Sequence, residues 1–150
     1  ILGGYRFILG ENVRYDESGH PMIATSHMFD FSPKFIDEYM PSTLELGRSF
    51  VTLEYQSTRS GSKGLFALDN LWDGLGALTV EYPQIRYFFG KVTMYPTFSA
   101  EGRNMILYFL NKHFPDPDRL VWPRTPLETN MDYEKMSGLF KNNDFKEDYY

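Results

Sequence analysis

Residues 43–78 read TLELGRSFVTLEYQ, then STRSGSKG, then LFALDNLWDGLGAL. The β-branched and aromatic residues of the first segment predict a strand over residues 44–55. Leucines at spacings of three and four predict a helix over residues 65–81, and the polar residues 56–64 predict a loop between the two. Backbone N–H groups at a helix N-terminus can hold a phosphate. The stretch therefore predicts a strand–loop–helix unit suited to binding an anion.

Strands and helices alternate along the rest of the chain. We predict strands over residues 3–9 and 85–94, an extended segment over residues 22–31, and helices over residues 33–39 and 100–113. Ser32 is followed by Pro33, a pair typical of a helix start. This order predicts an α/β fold with an at least partly parallel sheet.

The length of 150 residues predicts one domain over residues 1–150. Within it, residues 115–150 are rich in proline and polar residues, and we expect an irregular C-terminal extension with weak helical character after residue 131. The chain starts inside an apparent strand without an initiator Met. We therefore expect a fragment truncated at both ends.

Composition excludes several classes of protein. The net charge is −5, whereas general nucleic-acid binders have a basic face. No apolar run is long enough to cross a bilayer. The absence of cysteine excludes disulfides, thiol nucleophiles and thiolate metal sites, and it suits a cytoplasmic protein. The three histidines lie far apart in sequence, so no metal site is indicated.

The loop over residues 56–64 is the first candidate site. It supplies small residues for close backbone approach and two cations that would neutralise a phosphate. The candidate residues are Gln56, Arg59, Ser60, Gly61, Ser62, Lys63 and Gly64. The patterns of P-loops and of dinucleotide-binding loops are absent, and a solvated surface turn remains the alternative.

Glu45 and Arg48 form the second candidate site. Residues three apart on a regular strand point to opposite faces, which would make them a surface carboxylate and a structural ion-pair partner. A bulge near Gly47 would change this, so that Glu45 could take a proton and Arg48 could hold a carboxylate. Tyr108, in the middle of a predicted helix, is either a core residue with its hydroxyl at the edge or a general acid.

Several segments together resemble one family. TLELGRSFVTLEYQ, LDNLWDGL and IRYFFGKVTM, with the earlier GGYRFIL and ATSHMFDFSP, are similar to the GNAT-like N-acyltransferases of bacterial aminolipid synthesis. These are the ornithine-lipid and glycine-lipid type, often labelled hemolysins. The resemblance covers roughly residues 1–115. ELGRS is also similar to the corresponding strand of acyl-homoserine-lactone synthases.

The resemblance implies transfer of a fatty acyl group, often 3-hydroxylated, from acyl carrier protein to the α-amine of an amino acid. It implies a GNAT-like mixed sheet that splays after its central strand, here residues 44–55, with the pantetheine in the opening. The backbone near Phe50, Val51 and Thr52 would bind the thioester oxygen. Glu45 would be the base, and Arg48 would hold the acceptor carboxylate or brace Glu45. Tyr108 would protonate the leaving thiolate.

The donor and the partners follow from the same resemblance. The loop lacks the [RQ]xxGx[GA] pattern of acetyltransferases, which favours the single phosphodiester of acyl carrier protein over the pyrophosphate of acyl-CoA. No permanently bound cofactor is implied. Arg59, Lys63, Arg86 and Lys91 could steer carrier-protein docking. Peripheral contact with the inner membrane is plausible because the product is a lipid. An acetyl-CoA-dependent N-acetyltransferase and a non-catalytic interaction domain remain alternatives.

Overall fold

The computed structural model describes residues 3–53 and 62–150, and for residues 62–68 it describes the backbone alone. The chain divides into two compact units, the first ending at Lys91 and the second running from Val92 to Tyr150. The first unit contains strands β1 to β4 and helix α1, and the second contains α2, β5, α3 and α4. Their bounds are β1 Gly3–Leu9, β2 Phe29–Phe31, β3 Thr43–Val51, α1 Ser62–Glu81, β4 Tyr87–Phe89, α2 Ala100–His113, β5 Val121–Pro123, α3 Tyr133–Leu139 and α4 Phe145–Tyr149.

A mixed three-stranded sheet in the order β1-β3-β4 organises the first unit. β3 lies in the middle, antiparallel to β1 and parallel to β4. The predicted mixture of helices with a partly parallel sheet is therefore confirmed. A small core on this sheet joins Leu9, Leu44 and Ile85, and Leu78 of α1 packs against it. This contact packs α1 against β1 and against β3, the strand that contains Glu45.

β3 contains a bulge where it passes β1. Gly4 lies opposite Phe50 and Arg6 opposite Gly47, so β3 has one extra residue between these two pairs. Arg48 has a φ of 50°, in the left-handed region. One extra residue with this conformation bends a strand and increases its local twist. The bulge on which the catalytic interpretation of Glu45 depends is therefore present next to Gly47.

The parallel pairing of β3 with β4 is short. It runs from Thr43 opposite Tyr87 to Glu45 opposite Phe89, although β3 itself continues to Val51. A Cβ built on Gly90 would lie 3.2 Å from the carbonyl oxygen of Leu46, so the two backbones remain close just past the last pair. The two strands pair over the first part of β3 only.

The prediction of a buried strand over residues 85–94 is wrong. Only Tyr87–Phe89 is a strand, and Tyr87 and Phe88 are 43% and 45% exposed. Within the described residues β4 has β3 as its sheet neighbour on one side alone, so it lies at the edge of this sheet and two of its aromatic side chains are exposed. Phe89 is the inward residue, and its ring packs against Phe31 and Phe35 at centroid distances of 6.0 and 5.5 Å.

Element boundaries also differ from those predicted. Helix α1 starts at Ser62, so Ser62, Lys63 and Gly64 lie in the helix and not in the predicted loop. The strand predicted over residues 44–55 ends at Val51. The extended segment predicted over residues 22–31 is mostly turns, because several of its backbone groups bond locally, as Met28 N–H does to Thr25 at 2.9 Å.

The helix predicted over residues 33–39, before β3, begins as expected. The Ser32 hydroxyl accepts a hydrogen bond from the backbone N–H of Phe35 at 3.0 Å, which is a helix N-cap. The segment that follows is a π-helical turn over Phe35–Tyr39 and then a 3-10 turn over Met40–Ser42. Gly10 lies so close to this region that a Cβ there would overlap the Met40 carbonyl oxygen.

In the second unit, α2 spans the predicted residues. The Ser99 hydroxyl caps it by accepting from Gly102 N–H at 3.2 Å. Phe109 of α2 packs against Phe140 and Tyr149 at centroid distances of 5.9 and 6.2 Å. The predicted weak helical character after residue 131 corresponds to α3 and α4.

Among the helices of the described residues, none combines the length and the apolar character needed to span a bilayer.

Candidate functional site

Glu45 is a buried carboxylate in the middle of the sheet. It is 5% exposed, and it accepts three hydrogen bonds from the turn that precedes β2. Thr25 donates twice to Oε1, from its backbone N–H at 3.0 Å and from its hydroxyl at 2.8 Å. The Ala24 backbone N–H donates to Oε2 at 3.2 Å. Burial of a carboxylate is costly unless it is hydrogen-bonded, and these contacts meet that requirement.

The pattern of these bonds leaves Glu45 with acceptor capacity. An ionised carboxylate has about four lone-pair positions, two on each oxygen. Oε1 already accepts two hydrogen bonds, whereas Oε2 accepts one. Oε2 is therefore the oxygen to which a further donor, such as an ammonium group or a water, can bind.

The turn that holds Glu45 is itself braced. The Ser26 hydroxyl donates to the Pro21 carbonyl oxygen and accepts from the Ile23 backbone N–H at 3.3 Å. The His20 ring lies 5.7 Å from the ring of Phe31. Thr25 is 2% exposed, so its hydroxyl is fixed against the carboxylate. This bracing holds the Glu45 side chain in one position.

A cavity of about 280 Å³ opens beside Glu45. It lies between β1, the turn before β2, and β3. Its lining residues are Arg6, Phe7, Ile8, Met22, Ile23, Ala24, Glu45 and Gly47. The cavity contains one carboxylate and one guanidinium, and most of its other lining residues are apolar, so it suits a small ligand of mixed charge.

The predicted bracing of Glu45 by Arg48 is not seen in the structure. It is exposed at the bulge, and no ion pair joins it to Glu45 within residues 3–53 and 62–150. Thr25 and Ala24 supply the bracing instead. The other predicted role of Arg48, in holding an acceptor carboxylate, stays a prediction.

The residues predicted to bind the thioester oxygen lie at the end of β3. Phe50 is opposite Gly4 and is 52% exposed, and Val51 is opposite Gly3. Thr52 follows the strand and is half-buried. Their predicted role in binding the oxyanion stays a prediction.

The predicted phosphate loop is described only in part. Gln56, Arg59, Ser60 and Gly61 lie outside the described residues. Ser62, Lys63 and Gly64 form the first turn of α1. A position in the first helical turn is the one at which backbone N–H groups remain available to an anion. The role of this segment in phosphate binding stays a prediction.

Tyr108 belongs to the second unit. Its ring stacks on Phe140 at a centroid distance of 5.6 Å and meets Tyr133 edge-on at 6.5 Å. The side chain is half-buried, which agrees with the structural alternative of a packed tyrosine. Its predicted role as a general acid stays a prediction.

A second polar cluster lies in the second unit around Asp148. Its buried carboxylate accepts from Lys112 and from His113, both at 2.8 Å, and from the Asn142 backbone N–H at 3.0 Å. Burial alone would raise the pKa of Asp148, but these three donors hold it below its ordinary value. Lys112 also donates to the carbonyl oxygens of Phe140 and Asn142, so the cluster ties the C-terminal residues to α2. No group of three or more metal-ligating side chains occurs in the described part of the chain.

Comparison with known proteins gives two close relatives. The chain is 65% identical over 149 residues to the glycine N(alpha)-acyltransferase of Phocaeicola vulgatus. The aligned region covers 99% of the chain and 46% of that protein. It is 66% identical over 149 residues to the glycine N(alpha)-acyltransferase of Bacteroides thetaiotaomicron, and here the aligned region covers 99% of the chain and 44% of that protein. The chain thus spans about half the length of the curated relatives it matches. No protein-family profile and no solved structure matches it.

The sequence singled out Glu45 as a candidate but gave no indication of its hydrogen-bond partners. Ala24 and Thr25 lie 21 and 20 residues before Glu45, and no spacing rule links a turn to a strand at that distance. The signal that was available is local, since a Thr-Ser pair within a turn is typical of side chains that bond to nearby groups. Arg6 was also missed, because on the sequence it reads as a polar residue of an alternating strand.

Proposed function

We propose that this protein is an N-acyltransferase that moves a fatty acyl group, often 3-hydroxylated, from acyl carrier protein to the α-amine of an amino acid. The observation that carries the proposal is the 65% identity, over nearly the whole chain, to a protein named glycine N(alpha)-acyltransferase. The match covers 99% of the chain and therefore includes the region of the candidate site. Glycine is accordingly the proposed acceptor.

The sheet supports a GNAT-like arrangement. In that arrangement the sheet opens after its central strand and the pantetheine arm lies in the opening. Here the pairing between β3 and β4 ends at Glu45, while β3 continues through the bulge to Val51. An acyl thioester lying along this part of β3 would bring its carbonyl carbon near Glu45.

The proposed chemistry needs one base and no covalent intermediate. Glu45 Oε2 takes a proton from the substrate ammonium, and the free amine attacks the thioester carbonyl carbon. The C–N bond forms, the C–S bond breaks, and the thiolate leaves. The first proton passes from Glu45 to solvent. After the attack the amine nitrogen gives up a second proton, which protonates the sulfur of the leaving thiolate. Arg48 is a proposed contact of the acceptor carboxylate.

Binding of the developing oxyanion is assigned to the end of β3. A backbone N–H at Phe50, Val51 or Thr52 would donate to the oxygen as it becomes negative, and such donors lower the barrier when they are fixed in advance. The pairing of Phe50 and Val51 with β1 supports this, because it fixes the backbone there.

Acyl carrier protein is the proposed donor partner, and acyl-CoA the alternative. The first turn of α1, which contains Ser62, Lys63 and Gly64, would bind the phosphate of the carrier arm together with Gln56, Arg59, Ser60 and Gly61. The product would be an amphiphile that enters aminolipid synthesis. A cytoplasmic enzyme with peripheral contact to the inner membrane would suit both the donor and the product.

A donor comparison tests the proposal. The protein is incubated with glycine and either 3-hydroxyacyl carrier protein, the matching acyl-CoA or acetyl-CoA, and N-acylglycine is measured by mass spectrometry. We expect product from the carrier-protein donor at a rate at least about tenfold above either coenzyme A donor, since only the carrier protein adds a protein surface to the binding energy. Product from acetyl-CoA alone would favour an acetyltransferase, and no product from any donor would favour a non-catalytic domain.

A further inference from the structure

We propose that the cavity between β1 and β3 is the acceptor subsite, in which Arg6 binds the carboxylate of a small α-amino acid, Glu45 binds its amine, and Gly47 leaves the space that it occupies. This inference rests on the proposed function and adds to it the location of the acceptor and two residues that select it.

The register of the two strands places the three residues together. Arg6 lies opposite Gly47, and Ile8 lies opposite Glu45. Residues directly opposite each other share one face of the ladder, and residues two apart on one strand share that face too. Arg6, Gly47 and Glu45 therefore lie on the same face, with Arg6 and Glu45 diagonal to each other. All three line the same cavity.

Gly47 leaves the face open between the two charged residues. In the part of the chain that the structure describes, no atom lies within 4 Å of the position that a Cβ of Gly47 would take. Glycine in a strand interior costs stability and often marks a close approach by a ligand. The open position here is consistent with a ligand over the backbone of residue 47.

The charges fit a zwitterion. No ion pair joins Arg6 to Glu45 within residues 3–53 and 62–150, although both side chains line the cavity. An α-amino acid carries an ammonium and a carboxylate one carbon apart, so it could bridge the two. Its ammonium would use the remaining acceptor position of Oε2, and its carboxylate would take a bidentate contact from the guanidinium.

The size of the cavity favours a small acceptor. Its volume of about 280 Å³ lies just below the range of about 300–1,000 Å³ typical of sites for larger ligands. Ile23, a buried residue, and Ala24 form one wall next to Oε2. A side chain on the acceptor Cα would have to fit between this wall and the backbone at Gly47. This wall and the backbone at Gly47, rather than the total volume, would favour glycine over larger amino acids.

Substitution at Gly47 tests this without depending on a loss of fold. Gly47→Ala and Gly47→Val are compared with Gly76→Ala, which changes a glycine of α1 that also has no atom within 4 Å. We expect melting temperatures close to that of the unmodified protein for all three. The KM for glycine should rise about tenfold or more in Gly47→Val, less in Gly47→Ala, and not at all in Gly76→Ala, while the KM for the acyl donor stays unchanged.

The arginine is tested in parallel. Arg6→Gln should raise the KM for glycine by about 10–100-fold, as expected for the loss of charge-assisted hydrogen bonds. Arg6→Lys should recover part of the loss, because it keeps the charge but not the bidentate geometry. Arg14→Gln removes another exposed positive charge from the same unit and should leave the KM unchanged.

Equilibrium binding of isotopically labelled glycine, measured by NMR on the same variants, separates this proposal from the proposed function. Weaker glycine binding in Gly47→Val and Arg6→Gln supports the subsite, whether or not acyl transfer is observed. Unchanged glycine binding or KM in both variants overturns the subsite while leaving acyl transfer intact. Failure of the unmodified protein to bind glycine overturns it as well.

Discussion

Replacing Glu45 by Gln separates the structural and chemical roles of this residue. A glutamine side chain has one carbonyl oxygen and one NH2 group. If the carbonyl oxygen keeps the two bonds from Thr25, the NH2 group faces the Ala24 N–H, and two donors then oppose each other. The remaining bonds also lose the negative charge that strengthens them.

The cost follows from these contacts. One lost bond to a charged group costs about 1.5–3 kcal/mol, and weakening of the other two adds to this. Ala24 is exposed, so water can in part replace the lost bond to its N–H. We therefore expect a total destabilisation of about 2–3 kcal/mol. For a chain of this length this corresponds to a fall of about 4–12 °C in Tm. Circular dichroism melting measures it.

Thr25→Val is the matched control. It removes one of the three hydrogen bonds, keeps the carboxylate and nearly keeps the side-chain volume, so it should destabilise the fold by about 1–2 kcal/mol. We expect acyl transfer to persist in Thr25→Val and to fall by about 100-fold or more in Glu45→Gln, since general-base catalysis typically contributes this much. Equal losses of activity in the two variants would refute the assignment of Glu45 as the base. An unchanged Tm in Glu45→Gln would refute the account of its hydrogen bonds.

Two further predictions concern stability. Gly10→Ala should destabilise the first unit by about 3 kcal/mol, because the new Cβ would overlap the Met40 carbonyl oxygen. Gly76→Ala should be neutral or stabilising by up to about 1 kcal/mol, and urea denaturation measures both. In the second unit, the pKa of Asp148 is lowered in the folded state, so its contribution to stability is present above its ordinary pKa of 3.8 and is lost as the pH falls below it. Melting between pH 7 and pH 3 should show this loss, and Asp148→Asn, which removes the ion pair with Lys112, should reduce both the stability at pH 7 and its fall at low pH. An identical pH profile in that variant would contradict the role given to Asp148.

Local sequence signals predicted the features that depend on neighbouring residues. Ser32 caps its segment as expected, because an N-cap needs only a side-chain oxygen near the next backbone N–H groups. Glycine at position 47 indicated where a bulge could form, and the register shift lies beside it. These features involve residues within a few positions of each other.

Features that depend on tertiary partners could not be predicted. The aromatic residues of β4 read as a buried strand, but whether a strand is central or at an edge depends on the strands beside it. The partners of Glu45 come from a turn 20 residues earlier, and the pairing of Arg6 with Gly47 depends on the register of two distant strands. Sequence therefore identified the carboxylate but not the cavity beside it.

Transfer of an acyl group to labelled glycine tests the central claim most directly. The protein is given 3-hydroxyacyl carrier protein and ¹⁵N-glycine, and the products are analysed by mass spectrometry with and without Glu45→Gln. The account predicts an N-acylglycine that carries the ¹⁵N label, formed by the unmodified protein and by Thr25→Val but nearly absent with Glu45→Gln. Absence of labelled product from the unmodified protein, or undiminished product with Glu45→Gln, would contradict it.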